Sequence, residues 1–211
     1  MSDGDGYAPT PGAGGINCYS GGEGDFMKWG QDLRGKWLRP FLSGMAKIGM
    51  SANHLTLLSL MAGLAFCPAF LLGKPILSFS LLLLHVLLDG LDGPLARFQG
   101  KASNRGSFTD TMADQLVVTA AAITMIHAGY ADTWPSGLYI FFYTVVVAFA
   151  FIRSAMATPY SWLFRPRFLV FTWYVVELYW LPGTLDWVLW ASAALLAVKC
   201  LTGFLRIRSR I

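Results

Sequence analysis

"DGLDGPLARFQGKASNRGSFTDTMADQ", residues 89–115, interrupts a chain that otherwise reads as soluble in hydrocarbon. It places Asp89, Asp92, Asp110 and Asp114 beside two long apolar runs. A carboxylate near the bilayer is costly unless it is paired, hydrated or bound to a metal. The cluster therefore has to be explained by the fold around it.

Of the 211 residues, 55% are hydrophobic and 13% are charged, whereas a soluble domain carries about a quarter charged residues. A membrane-crossing helix needs roughly 20 mostly apolar residues. Six segments come close to this, at about 55–73, 75–96, 107–128, 136–156, 166–181 and 185–205. The fifth is short and carries Glu177, and Pro182 with Gly183 reads as a tight turn after it. The expected fold is an all-α membrane protein with six transmembrane helices over residues 51–211.

Residues 1–24 are Gly-rich, with no apolar core and no basic leader, and are expected to be a flexible tail. Residues 25–50 mix Phe26, Trp29, Trp37, Leu38 and Phe41 with Lys28, Arg34, Lys36 and Arg39. That composition suits an amphipathic helix lying along the cytoplasmic interface, as a lid beside the site or as a simple anchor.

Basic residues in short loops set orientation. With a cytoplasmic N-terminus, six spans put Arg97, Lys101, Arg105, Arg153, Arg165, Arg167, Arg206, Arg208 and Arg210 inside, against little beyond Lys74 outside. Both termini and the aspartates are then cytoplasmic. The net charge of +4 suits a surface near anionic lipid. It does not suggest a nucleic-acid partner, because the basic residues follow topology rather than one face. Cys18, Cys67 and Cys200 show no paired spacing and read as reduced structural residues.

On helices, the i, i+3 pair Asp89 and Asp92 and the i, i+4 pair Asp110 and Asp114 each share a face. One pair ends the second helix and the other begins the third, with a short loop between, so the two helices are expected to be antiparallel neighbours. Four bare carboxylates converging there would repel strongly. One or two hard divalent cations resolve the conflict, since all-oxygen sites suit magnesium, manganese or calcium. The cluster contains no Cys or His, which disfavours zinc. His85, one turn before Asp89, is either a packing residue, the commoner fate of a lone histidine, or a support behind the ligands. Gly90, Gly93 and Gly106 allow close approach of a flat ligand, and Arg97 offers a forked phosphate donor.

The spacing D-x-x-D-G-x-x-A-R, eight residues, then G-x-x-x-D-x-x-x-D resembles the signature of the CDP-alcohol phosphotransferase family at Asp89, Asp92, Gly93, Ala96, Arg97, Gly106, Asp110 and Asp114. Upstream, "SANHLTLLSLMAGL" is similar to the family's P-N-x-L-T segment, with Ala52 standing where proline is usual. The resemblance implies transfer of a phosphatidyl-type group from a CDP-linked lipid to an alcohol, with release of CMP, in a six-helix domain that is usually a homodimer. It implies two metal ions, Mg2+ or Mn2+, on Asp89, Asp92 and Asp110. Asp114 would help hold metal and act as general base. Asn53, Thr56, Gly93, Ala96, Arg97 and Gly106 would form the CDP pocket.

Two rivals are weaker. Intramembrane prenyltransferases also use paired aspartate motifs, but on helices distant in sequence. A cation transporter would use intramembrane acids, yet the cluster lies at one membrane edge and the apolar segments show no internal repeat. The acceptor alcohol has no signature here. Arg153, Arg165 and Arg167 would lie near the site, where guanidiniums suit an acceptor bearing a phosphate or contact lipid headgroups.

Overall fold

The computed structural model describes residues 38–156 and 166–210, and every described element is helical. A first helix, α1, covers 38–47. It is followed by α2 (Ala52–Leu71), α3 (Pro75–Phe98), α4 (Asn104–His127), α5 (Thr133–Ala155), α6 (Pro166–Tyr179) and α7 (Leu185–Arg208). The last six fall on the six apolar segments. The expected tail, residues 1–24, most of the expected amphipathic stretch, residues 25–37, and Arg165 lie outside the described residues.

Four helices, α2, α3, α5 and α7, are long and apolar enough to cross a membrane. The first turns of α4 are polar because they carry Asp110 and Asp114. At 14 residues, α6 is about 21 Å long, shorter than a hydrocarbon core of about 30 Å.

The order of packing differs from the expected α3–α4 pairing. Helix α2 packs along both α3 and α4, and α5 packs along α7. The reason is a stripe of small or hydroxylated residues on α2, Thr56, Ser59 and Gly63, all buried. At Gly63 the helices approach so closely that a Cβ there would stand 2.5 Å from Cγ2 of Val117 on α4. Farther along the same face, Phe66 stacks on Phe70 at 5.5 Å and on Tyr174 of α6 at 6.4 Å. A main core around Phe66, Val117, Met125, Tyr139, Tyr174 and Leu189 holds the bundle together.

The helix ends are fixed by local pairs. Ser51 and His54 cap α2 reciprocally, the Ser51 hydroxyl accepting from His54 N–H and the His54 ring from Ser51 N–H. This supplies the entry turn that proline would otherwise preset. Glu177 is explained in the same way. Its buried carboxylate accepts from the backbone N–H groups of Gly183, Thr184 and Leu185 at 2.5, 2.9 and 2.7 Å. An acid from α6 thus caps α7, and Gly183, at φ +82°, makes the turn between them. Helix α1 buries Leu42 against Leu55 and Leu95, beside Leu88 and Leu91, which seats it next to the acidic end of α3.

Candidate active site

The site forms where the C-terminal end of α3 meets the N-terminal end of α4. Ser103 starts α4 by accepting from Gly106 N–H at 3.1 Å, so Asp110 and Asp114 occupy its second and third turns. Among the described residues, Asp89, Asp92 and Asp110 each offer a carboxylate oxygen within 4.8 Å of the others. Asp92 is buried, and its Oδ2 accepts from the Thr56 hydroxyl at 2.7 Å. That bond ties the cluster to α2. Three oxygen donors this close are suited to a hard divalent ion and lack the soft ligands zinc prefers.

Asp114 has other neighbours. Its Oδ2 pairs with Arg167 of α6, and its Oδ1 faces His85 Nε2 at 3.7 Å. Arg167 is buried and also donates to Asp89 Oδ2 at 2.6 Å. One guanidinium thus compensates two of the four acids, as a forked donor can and a point charge does less well.

The remaining expected residues are distributed around this centre. Asn53 is exposed one turn before Thr56, while Gly93 and Ala96 are half-buried and Arg97 is exposed on α3. A Cβ at Gly93 would lie 3.5 Å from the Arg97 guanidinium, an ordinary contact distance. Gly106 is half-buried in the first turn of α4. Arg153 is buried near the end of α5. Of the expected acceptor residues, Arg167 is engaged by the aspartates and Arg153 is buried on α5.

Sequence reasoning missed Ser59. The signal was available, because Ser59 follows Thr56 by three residues on an otherwise apolar helix and so shares its face.

Beside the acids, α3 and α6 splay apart around an apolar groove of about 660 Å3. Ile76, Phe79, Leu83, Val86, Phe171 and Tyr179 are among its walls. Val86 lies one turn before Asp89, and Phe168, also in the lining, carries the Arg167 guanidinium 4.7 Å above its ring. The groove therefore opens alongside the charged cluster.

A helical membrane bundle with this acid arrangement defines a class, and the comparison with known sequences agrees. The chain belongs to the CDP-alcohol phosphatidyltransferase family, whose pattern matches residues 50–199, and it is an integral membrane protein. It is 38% identical over 87 residues to an archaetidylinositol phosphate synthase of Aeropyrum pernix, covering 41% of this chain and 45% of that protein. It is 29% identical over 116 residues to a CDP-diacylglycerol–serine O-phosphatidyltransferase of Mycobacterium leprae, covering 54% of this chain and 39% of that protein. The chain thus spans less than half the length of each of these curated relatives. In fold it is similar to the phosphatidylinositol phosphate synthase of Mycobacterium tuberculosis solved with CDP-DAG bound, with a TM-score of 0.67 and 20% identity over 78% of this chain and 90% of that one. The same enzyme is also known with manganese and citrate.

Proposed function

We propose that this protein transfers a phosphatidyl-type group from a CDP-linked lipid to an alcohol, releasing CMP, as a step of phospholipid synthesis. The observation that carries the reading is the convergence of Asp89, Asp92 and Asp110 within 4.8 Å beside an apolar groove large enough for a lipid chain. A site for pyrophosphate chemistry and a site for hydrocarbon adjoin, and a CDP-lipid has both parts. The named activities of the relatives and the CDP-DAG bound to the structural neighbour support the same substrate class.

In this reading Asp89, Asp92 and Asp110 hold one or two divalent cations, Mg2+ or Mn2+, with Asp114 as a further ligand. When bound, such ions would neutralise charge on the pyrophosphate and on the departing CMP. Asn53, Thr56, Gly93, Ala96, Arg97 and Gly106 line the CDP pocket. Asp114 takes the proton of the acceptor hydroxyl as its oxygen bonds to the lipid phosphorus and the bond from that phosphorus to the CMP oxygen breaks. Arg153, Arg165 and Arg167 are the acceptor-side residues.

All six helices α2–α7 cross the bilayer, with both termini and the site cytoplasmic. Helix α1 is the described part of an interfacial segment against the site, and residues 51–211 form the catalytic domain, which pairs as a homodimer. The test is CMP release by the purified protein given CDP-diacylglycerol and a panel of alcohols, with inositol phosphate, glycerol phosphate and serine in parallel. No CMP with any acceptor would defeat the reading.

A further inference from the structure

Asp114 is held unlike the other three aspartates, and the difference points to His85. Asp114 Oδ2 pairs with Arg167, whereas Oδ1 is buried and has no hydrogen-bond partner. Across from Oδ1 stands His85 Nε2 at 3.7 Å, roughly 0.5–1 Å beyond the usual N–H···O range. Closing that gap takes a shift of the Asp114 carboxylate about its Arg167 contact. The imidazole itself is clamped. It is 1% exposed, its Nδ1 lies 2.8 Å from the Ser59 hydroxyl and 3.2 Å from the Ser59 carbonyl, and its edge packs on Phe171.

The two ring nitrogens are not equivalent, because the partner of one decides which carries the proton. A bare Nε2 facing a buried carboxylate oxygen would set two acceptors against each other, both without a donor. The Ser59 hydroxyl has two acceptors within reach, His85 Nδ1 at 2.8 Å and the His85 carbonyl at 3.0 Å; donated to Nδ1, its proton leaves the ring proton on Nε2. Without that hydroxyl, Nδ1 can keep the proton and donate to the Ser59 carbonyl, which leaves Nε2 nothing to donate.

We propose that Ser59 and His85 are a positioning pair for Asp114. Ser59 selects the tautomer, and His85 donates to Oδ1. With Arg167 on Oδ2, the carboxylate is fixed in one orientation and keeps lone pairs for the acceptor proton, since an ionised carboxylate offers about four acceptor sites. The inference rests on the phosphotransferase reading for its catalytic consequence, but not for the contact itself.

The experiment uses full-length protein in detergent. His85→Leu should lower kcat for CMP release about 10–100-fold, the usual cost of losing a partner behind a catalytic ligand, with KM for the CDP-lipid unchanged. His85→Gln, whose amide can reach Oδ1, should recover most of the loss, and Ser59→Ala should fall between. A kcat for His85→Leu within twofold of wild type, or no recovery in His85→Gln, would overturn the proposal. A second readout needs no turnover: the melting-temperature shifts of His85→Leu, Asp114→Asn and the double variant. Coupled residues give shifts that do not add, whereas additive shifts overturn the contact even if the wild type releases no CMP. Wild-type inactivity would count against the enzyme reading alone.

Discussion

Arg167 and Asp89 are 78 residues apart in the chain and 2.6 Å apart in the fold. The pair closes the splayed helices α3 and α6 at the end where the acids gather. The same guanidinium reaches Asp114 on α4, so one side chain joins three helices through charge. A buried ion pair adds little over a well-packed apolar core, but breaking one by removing a single partner strands a buried charge.

Arg167→Gln should therefore destabilise the protein by about 3–5 kcal/mol, seen as a lower melting temperature in detergent. Asp89→Asn added to Arg167→Gln should recover part of the loss, because it removes one of the stranded charges. A melting temperature for Arg167→Gln equal to wild type would show that the pair carries no such role.

Metal dependence follows from the acid triad. A chelator should abolish CMP release, and Mg2+ or Mn2+ should restore it. Asp92→Asn should abolish both turnover and Mn2+ binding, the latter read by paramagnetic resonance, while the protein still unfolds cooperatively. Asparagine keeps an oxygen for the Thr56 hydroxyl, so the charge is lost without loss of shape. Full turnover in chelator would sink the metal assignment.

Asp114 and Asp89 should separate binding from chemistry. Asp114→Asn should leave CDP-lipid binding largely intact, since Asp89, Asp92 and Asp110 are unchanged. Its turnover should fall by about 10²–10⁴-fold, the usual contribution of a positioned base. Asp89→Asn should weaken CDP-lipid binding itself. Measuring affinity and single-turnover rate for both variants decides the point. Near-normal turnover at saturation for Asp114→Asn would make it only another ligand.

Gly63 tests the packing order. A Cβ there would meet Val117 at 2.5 Å, so Gly63→Ala overpacks the α2–α4 contact and should cost about 1–3 kcal/mol. Val117→Ala in the same chain should restore much of it. Loss of stability without rescue would mean that the strain lies elsewhere.

Topology turns on α4 and α6. If all six helices cross, a cysteine placed at Ala131 should react with an impermeant reagent from outside the cell, and a reporter fused after Ile211 should read cytoplasmic. If only the four most apolar helices crossed, the tail would still be cytoplasmic but position 131 would be protected. Labelling at that position distinguishes the two counts, which the tail cannot.

The helices and the acids could be read directly because both are local properties. Apolar length marks a helix that lipid will accept, and D-x-x-D spacing puts two carboxylates on one face whatever surrounds them. Ser51 and His54, and Pro182 with Gly183, likewise act within a few residues of themselves. What the chain order could not disclose is which face meets which. Loop length suggested α3 against α4, yet the small face of α2, opened by Gly63, lets α2 lie along both. Arg167 shows the same limit: its composition suits a phosphate, and only the position of α6 delivers it to Asp89 and Asp114. The partners of His85 and Ser59 were hidden for one reason. A hydrogen bond forms over about 3 Å of space, and residues far apart in sequence come that close only once the helices have packed.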